Sequence, residues 1–134
     1  MSFTTAELRK AFADAMNDAE LRGVRLDLVL LGVGPDAHAA SLFPNAPTLD
    51  ERERTAVAAE AKLEPFVDRV TMTIPVLSAA PQVVFILTGA DKAEAAERAF
   101  ALPPDPAAPA SLIRSTSGTT RVVVDRAAAA RLTD

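Results

Sequence analysis

A single histidine, His38, occurs in the 134 residues, and an acid, Asp36, stands two positions before it. Histidine is the one side chain that titrates near neutrality without perturbation. A neighbouring carboxylate can fix its tautomer and leave the other ring nitrogen free as a base. On a regular helix a spacing of two would point the pair apart, whereas on a turn entering a helix they converge. Free N–H groups at such a helix start could steady a developing oxyanion. The plainer alternative is that Asp36 caps a helix and His38 lies on the surface. Lys92 is the second candidate. A lysine in the first turn of a helix opposes the macrodipole, but beside a strand-end glycine it suits a phosphate held jointly by the ammonium and helix N–H groups. Arg69, Arg114 and Arg121 have no local context that separates function from solubility.

The elements that must position these residues follow from apolar patterning. Residues 28–31 (LVLL) and 83–87 (VVFIL) are continuous apolar runs of the kind buried on both faces of a parallel sheet. Gly32 and Gly34 follow the first run and let the chain turn sharply, and a helix is expected to begin after them. The second run ends at Gly89 and leads into a predicted helix over 92–102. Residues 121–124 form a third short strand, after which Asp125 caps a final alanine-rich helix. Residues 69–74 (RVTMTI) alternate like a strand, and 76–80 make one helical turn. Residues 55–63 suit either a helix or an edge strand. At the N-terminus Thr4 and Glu7 form a capping box, Leu8, Phe12, Ala15, Met16 and Ala19 make an apolar stripe, and Gly23 suits a C-cap. Residues 103–109 form a surface connection. The pattern predicts an α/β fold with a parallel, Rossmann-like sheet and helices on both faces, and the loops bearing Asp36, His38 and Lys92 on one sheet edge.

Composition narrows the chemistry. With 49% apolar and 24% charged residues the chain is globular, and residues 1–134 fit a single α/β domain or a fragment of one. The net charge of −4 argues against a nucleic-acid partner. The absence of cysteine excludes disulfides and thiolate chemistry, and one histidine makes a histidine-based zinc site improbable. No apolar stretch approaches a membrane span and no signal peptide opens the chain, so a cytoplasmic protein without a membrane partner is expected. Residues 32–37 match the dinucleotide pattern G-x-G-x-x-A, but Pro35 has no N–H to offer a pyrophosphate and Asp36 would set a negative charge beside one.

Residues 31–44, LGVGPDAHAASLFP, resemble the signature of 6-phosphogluconolactonases, usually LGxGPDGHTASLFP. Residues 69–75 and 83–93, Pro109-Ala110-Ser111 and the terminal VVDRAA run resemble later blocks of that family in the same order. The resemblance implies hydrolysis of 6-phospho-D-glucono-1,5-lactone to 6-phospho-D-gluconate in the pentose phosphate pathway, without metal or cofactor. It implies His38 as the base that activates water and Asp36 as its partner. Lys92 and Arg69 would face the substrate phosphate, and Gly32 and Gly34 are counted with them as substrate- or phosphate-binding residues. The related glucosamine-6-phosphate deaminase/isomerases share the Asp-Gly-His turn but follow it with an Asn-Glu-Pro run where this chain has Ser41-Leu42-Phe43-Pro44. A non-catalytic sugar-phosphate-binding module is the other alternative.

Two residues depart from the pattern. Ala37 replaces the usual glycine and Ala39 a threonine; a positive φ at 37 would cost an alanine about 1 kcal/mol. The resemblance covers only the C-terminal half of the family, without its Gly-Gly-Ser-type phosphate loop or Asp-Glu-Arg block. A doubly wound sheet cut through its middle exposes a strand edge and an apolar face. Self-association or pairing with a missing N-terminal half is therefore expected.

Overall fold

A computed structural model describes residues 4–17 and 25–132. Strands β1 (Leu28–Gly32), β4 (Gln82–Leu87) and β5 (Thr119–Val124) form a parallel sheet in the order β1-β4-β5. The register aligns Leu31 with Phe85 and Phe85 with Val122. Strands β2 (Ala56–Ala59) and β3 (Arg69–Met72) form a separate antiparallel pair, which resolves residues 55–63 in favour of a strand. Helix α2 (Ile74–Ser78) supplies the single turn expected before β4.

One face of the parallel sheet carries the core. Val29 and Leu31 of β1 and Val83, Phe85 and Leu87 of β4 pack with Leu77, Ile113 and a set of buried alanines. The alanines matter because their small side chains let backbone approach the sheet closely. Ala95, Ala96 and Ala99 come from the segment after β4, where the expected helix over 92–102 is present in three parts. Residues Ala90–Lys92 form a 3₁₀ turn, Ala93–Ala96 the α-helix α3, and Glu97–Ala101 a π-turn closed by Leu102 N–H to the Glu97 carbonyl.

The other face is open. Leu28, Leu30, Ile86 and Val123 project from it and are 50%, 61%, 46% and 54% exposed. The expected parallel α/β sheet is present, but among the described residues helices and turns cover only one of its two faces.

Three local expectations change. The capping box is formed, with Thr4 Oγ1 accepting from Glu7 N–H and the Glu7 carboxylate accepting from Thr4 N–H, and α1 (Thr5–Met16) follows it. Its stripe is not buried: Leu8 and Phe12 are exposed, while Asn17 ties the helix end to β2 by accepting from the N–H groups of Thr55 and Ala56. Ala19 and Gly23 lie outside the described residues. Asp125 does cap the segment after β5, accepting from Ala128 N–H at 2.8 Å. That segment is a series of turns, however, with one bond to the residue four back and two to residues three back, and not a regular helix. Finally, residues 35–41 form turns where a helix start was expected. Ala37 at φ 66° and Ala40 at φ 52° are both left-handed, which breaks a right-handed helix at once.

Candidate active site

The left-handed turn brings the acid and the histidine together. Gly34 N–H donates to the His38 carbonyl at 2.9 Å and Ala37 N–H to the Gly34 carbonyl at 2.9 Å, closing a compact loop after β1. Inside it, Asp36 Oδ1 lies 2.5 Å from His38 Nδ1 and also accepts from His38 N–H at 3.1 Å. The carboxylate therefore selects the tautomer protonated on Nδ1 and leaves Nε2 as the acceptor. Nε2 has no partner among the described residues. The side chains of Asp36 and His38 are 22% and 24% exposed, enough for a small molecule to reach them. Phe43 packs against the imidazole with ring centroids 4.9 Å apart.

Glycine at position 34 is a steric necessity. A Cβ there would sit 2.1 Å from both Cε1 and Nδ1 of His38 and 2.9 Å from Asp36 Oδ1. Gly32 is different. It ends β1 opposite Ile86, and a Cβ on it would meet nothing within 4 Å.

Lys92 follows β4 as the Asp36–His38 turn follows β1, and the two strands are parallel neighbours. Both loops therefore lie at the C-terminal edge of the sheet, as the sequence predicts. Lys92 ends the 3₁₀ turn begun at Gly89, whose φ of 97° needs glycine. Asp125, following β5 on the same edge, accepts from Gly89 N–H at 3.0 Å and so joins this turn to the third strand. Its bonds from Ala128 and Gly89 hold the carboxyl below its ordinary 3.8. Lys92 has no ion-pair partner among the described residues.

Arg69 is placed elsewhere. It lines a cavity of about 720 Å³ between α1 and the β2–β3 pair, with Arg9, Lys10 and Asp68, and donates to the Pro65 carbonyl. Among the described residues no hydrogen bond or ion pair joins it to the turn. Ser41 N–H, just beyond the turn, does reach β3 by donating to Thr71 Oγ1 at 3.1 Å. Among the described residues no group of three or more His, Cys, Asp or Glu could hold a metal ion.

Sequence reasoning missed the support behind the turn. Ala110 N–H, in the 3₁₀ turn Pro109–Leu112, donates to the Ala37 carbonyl at 2.9 Å. Pro109, Ala110 and Ser111 are buried beside it. No local pattern pairs two alanines 73 positions apart; the available signals were the proline at the head of the 3₁₀ turn and the likeness of Pro109-Ala110-Ser111 to a family block.

Comparisons with known proteins show the family to which the chain belongs. The sequence matches the family described as glucosamine-6-phosphate isomerases/6-phosphogluconolactonase over residues 3–122. It is 42% identical to human 6-phosphogluconolactonase over 107 residues, covering 80% of this chain and 42% of that protein. It is 40% identical over 106 residues to the 6-phosphogluconolactonase of Streptomyces coelicolor, covering 79% and 40%. The solved 6-phosphogluconolactonase of Trypanosoma brucei superposes with a TM-score of 0.81 at 24% identity, over 99% of this chain and 57% of that one, and shares its fold. The chain thus spans less than half the length of the curated relatives it matches. It belongs to the glucosamine-6-phosphate isomerase/6-phosphogluconolactonase family.

Proposed function

We propose that this chain carries the general-base turn of a lactone hydrolase that opens 6-phospho-D-glucono-1,5-lactone to 6-phospho-D-gluconate. The observation that supports it most is the Asp36–His38 bond at Nδ1, which leaves Nε2 free on a side chain that is partly exposed at the sheet edge. Nε2 takes a proton from water as the oxygen adds to the lactone carbonyl. The tetrahedral adduct then collapses, the bond to the ring oxygen breaks, and the imidazolium returns the proton to that oxygen. Asp36 holds the ring and stabilises its charged form. Lys92, on the adjacent loop, is the candidate anchor for the remote phosphate, with Arg69 a second candidate cation and Gly32 and Gly34 lining the approach. The N–H groups of Gly34, Ala37 and His38 are already engaged within the turn, so the oxyanion takes its donors from other residues. No metal or cofactor has a part in this reading, and the substrate is a small phosphorylated sugar lactone.

The test is a lactonase assay on freshly generated substrate, corrected for spontaneous opening. His38→Ala should lower kcat by ~10²–10⁴-fold, the usual contribution of a positioned base, with KM little changed. Full turnover in that variant would remove the assignment. The 42% coverage of the human relative favours one second reading, a sugar-phosphate-binding module that needs the rest of the fold for turnover. Binding of 6-phosphogluconate, abolished by Lys92→Ala, without turnover in the wild-type chain would support it. Incubation with glucosamine 6-phosphate checks the isomerase/deaminase branch of the family.

A further inference from the structure

We propose that Arg114 is a positioning residue for His38, acting through Ala110. The peptide between Ala37 and His38 is clamped from both sides. Its carbonyl accepts from Ala110 N–H at 2.9 Å, and its N–H donates to Asp36 Oδ1 at 3.1 Å. The tilt of this peptide sets where the His38 Cα–Cβ bond points, and with it the Nδ1 bond to Asp36. Ala37 holds a left-handed φ of 66° that an alanine does not favour. The clamp from outside the turn is therefore what keeps the strained conformation populated.

Ala110 is held in turn by Arg114. The guanidinium donates through Nη1 to the carbonyls of Ala110 at 2.9 Å and Ile113 at 2.7 Å, and through Nη2 to Ala99 at 2.7 Å. It also stands 5.9 Å from the Phe85 ring centroid and 5.3 Å from that of Phe100. One planar fork thus fixes the Pro109–Leu112 turn against both the π-turn and the central strand. A lysine has no such fork. Ala110 is the shared link: its carbonyl faces Arg114 and its N–H faces the Asp36–His38 turn.

The single histidine makes this measurable without substrate, by ¹⁵N NMR of the imidazole. The wild-type chain should show one tautomer, with Nδ1 protonated and its proton slow to exchange. Arg114→Met should mix the tautomers and speed that exchange about tenfold, the effect of losing one hydrogen bond of ordinary net strength. Arg114→Lys should fall between, and it decides the matter if Arg114→Met does not fold. Val83→Ala, a core truncation that removes none of the clamp's hydrogen bonds, should lower stability and leave the imidazole signals unchanged. Wild-type signals in folded Arg114→Lys and Arg114→Met, or equal disturbance by Val83→Ala, would overturn the proposal. Because the readout needs no turnover, it fails independently of the lactonase reading: a bonded imidazole in an inactive wild-type chain would remove only the latter.

Discussion

At the scale of single residues, the turn after β1 depends on what has no side chain and on what has only a methyl group. Gly34 leaves the space that the imidazole occupies. Gly34→Ala should push the ring off Asp36 and lower kcat by at least about tenfold, since the base loses its orientation. The fold should survive, because the atoms displaced belong to side chains. Gly32→Ala, with nothing near its Cβ, should leave stability unchanged, and a raised KM in that variant would show substrate passing close to β1. The two left-handed alanines separate strain from burial. At the exposed Ala40, replacement by glycine relieves about 1–2 kcal/mol of backbone strain against about 0.4–1 kcal/mol of added chain entropy. Ala40→Gly should therefore stabilise by roughly 0.5–1 kcal/mol in urea titration. Ala37→Gly also gives up a fully buried methyl worth about 0.8 kcal/mol, so the two effects nearly cancel there. The chain can thus carry an alanine in place of the family's usual glycine at little net cost.

At the scale of elements, carboxylates rather than helices organise the loops. Asp125 joins the Gly89 turn to the segment after β5, so Asp125→Ala should lower Tm and loosen the loop that carries Lys92. Glu51 does the same after the 3₁₀ turn Pro47–Asp50. Its carboxylate accepts from the N–H groups of Glu53 and Arg54 and from the Arg54 guanidinium, which hold its pKa at about 2 against an ordinary 4.5. Both groups have folded pKa values below their unfolded ones. Their stabilisation is therefore complete above about pH 4.5 and is lost as pH falls toward the lowered values. An acid titration followed by circular dichroism should show wild-type stability falling through this range. In Asp125→Asn combined with Glu51→Gln the fall should be shallower, from a lower starting stability. A double variant with the same acid slope as wild type would refute the assignment.

For the whole molecule, the decisive feature is a parallel sheet covered on one side. Parallel sheets are ordinarily buried on both faces, and here Leu28, Leu30, Ile86 and Val123 face outward together. In isolation the 134-residue chain is expected to pair with a second copy through this face. Sedimentation velocity should show concentration-dependent association, and Leu30→Lys should weaken it by placing a charge in the middle of the patch. A monomer over the whole concentration range would contradict this. No helix among the described residues is long and apolar enough to cross a membrane.

The sequence by itself determined the strands of the parallel sheet, their order along the chain, and the sheet edge that bears the loops of Asp36, His38 and Lys92. Continuous apolar runs and glycine punctuation are local signals, and parallel connectivity places all strand ends alike. The capping box at Thr4 and Glu7 was legible for the same reason. Only the tertiary structure decided that the Asp36–His38 segment is a left-handed turn and not a helix start, and one of its carbonyls is held by Ala110 N–H from 73 residues away. It likewise separated Arg69 from the turn and gave Arg114 three carbonyls to hold. Hydrogen bonds between backbone groups carry no residue code, so a sequence shows which side chains are available but not which distant peptide will fix their direction.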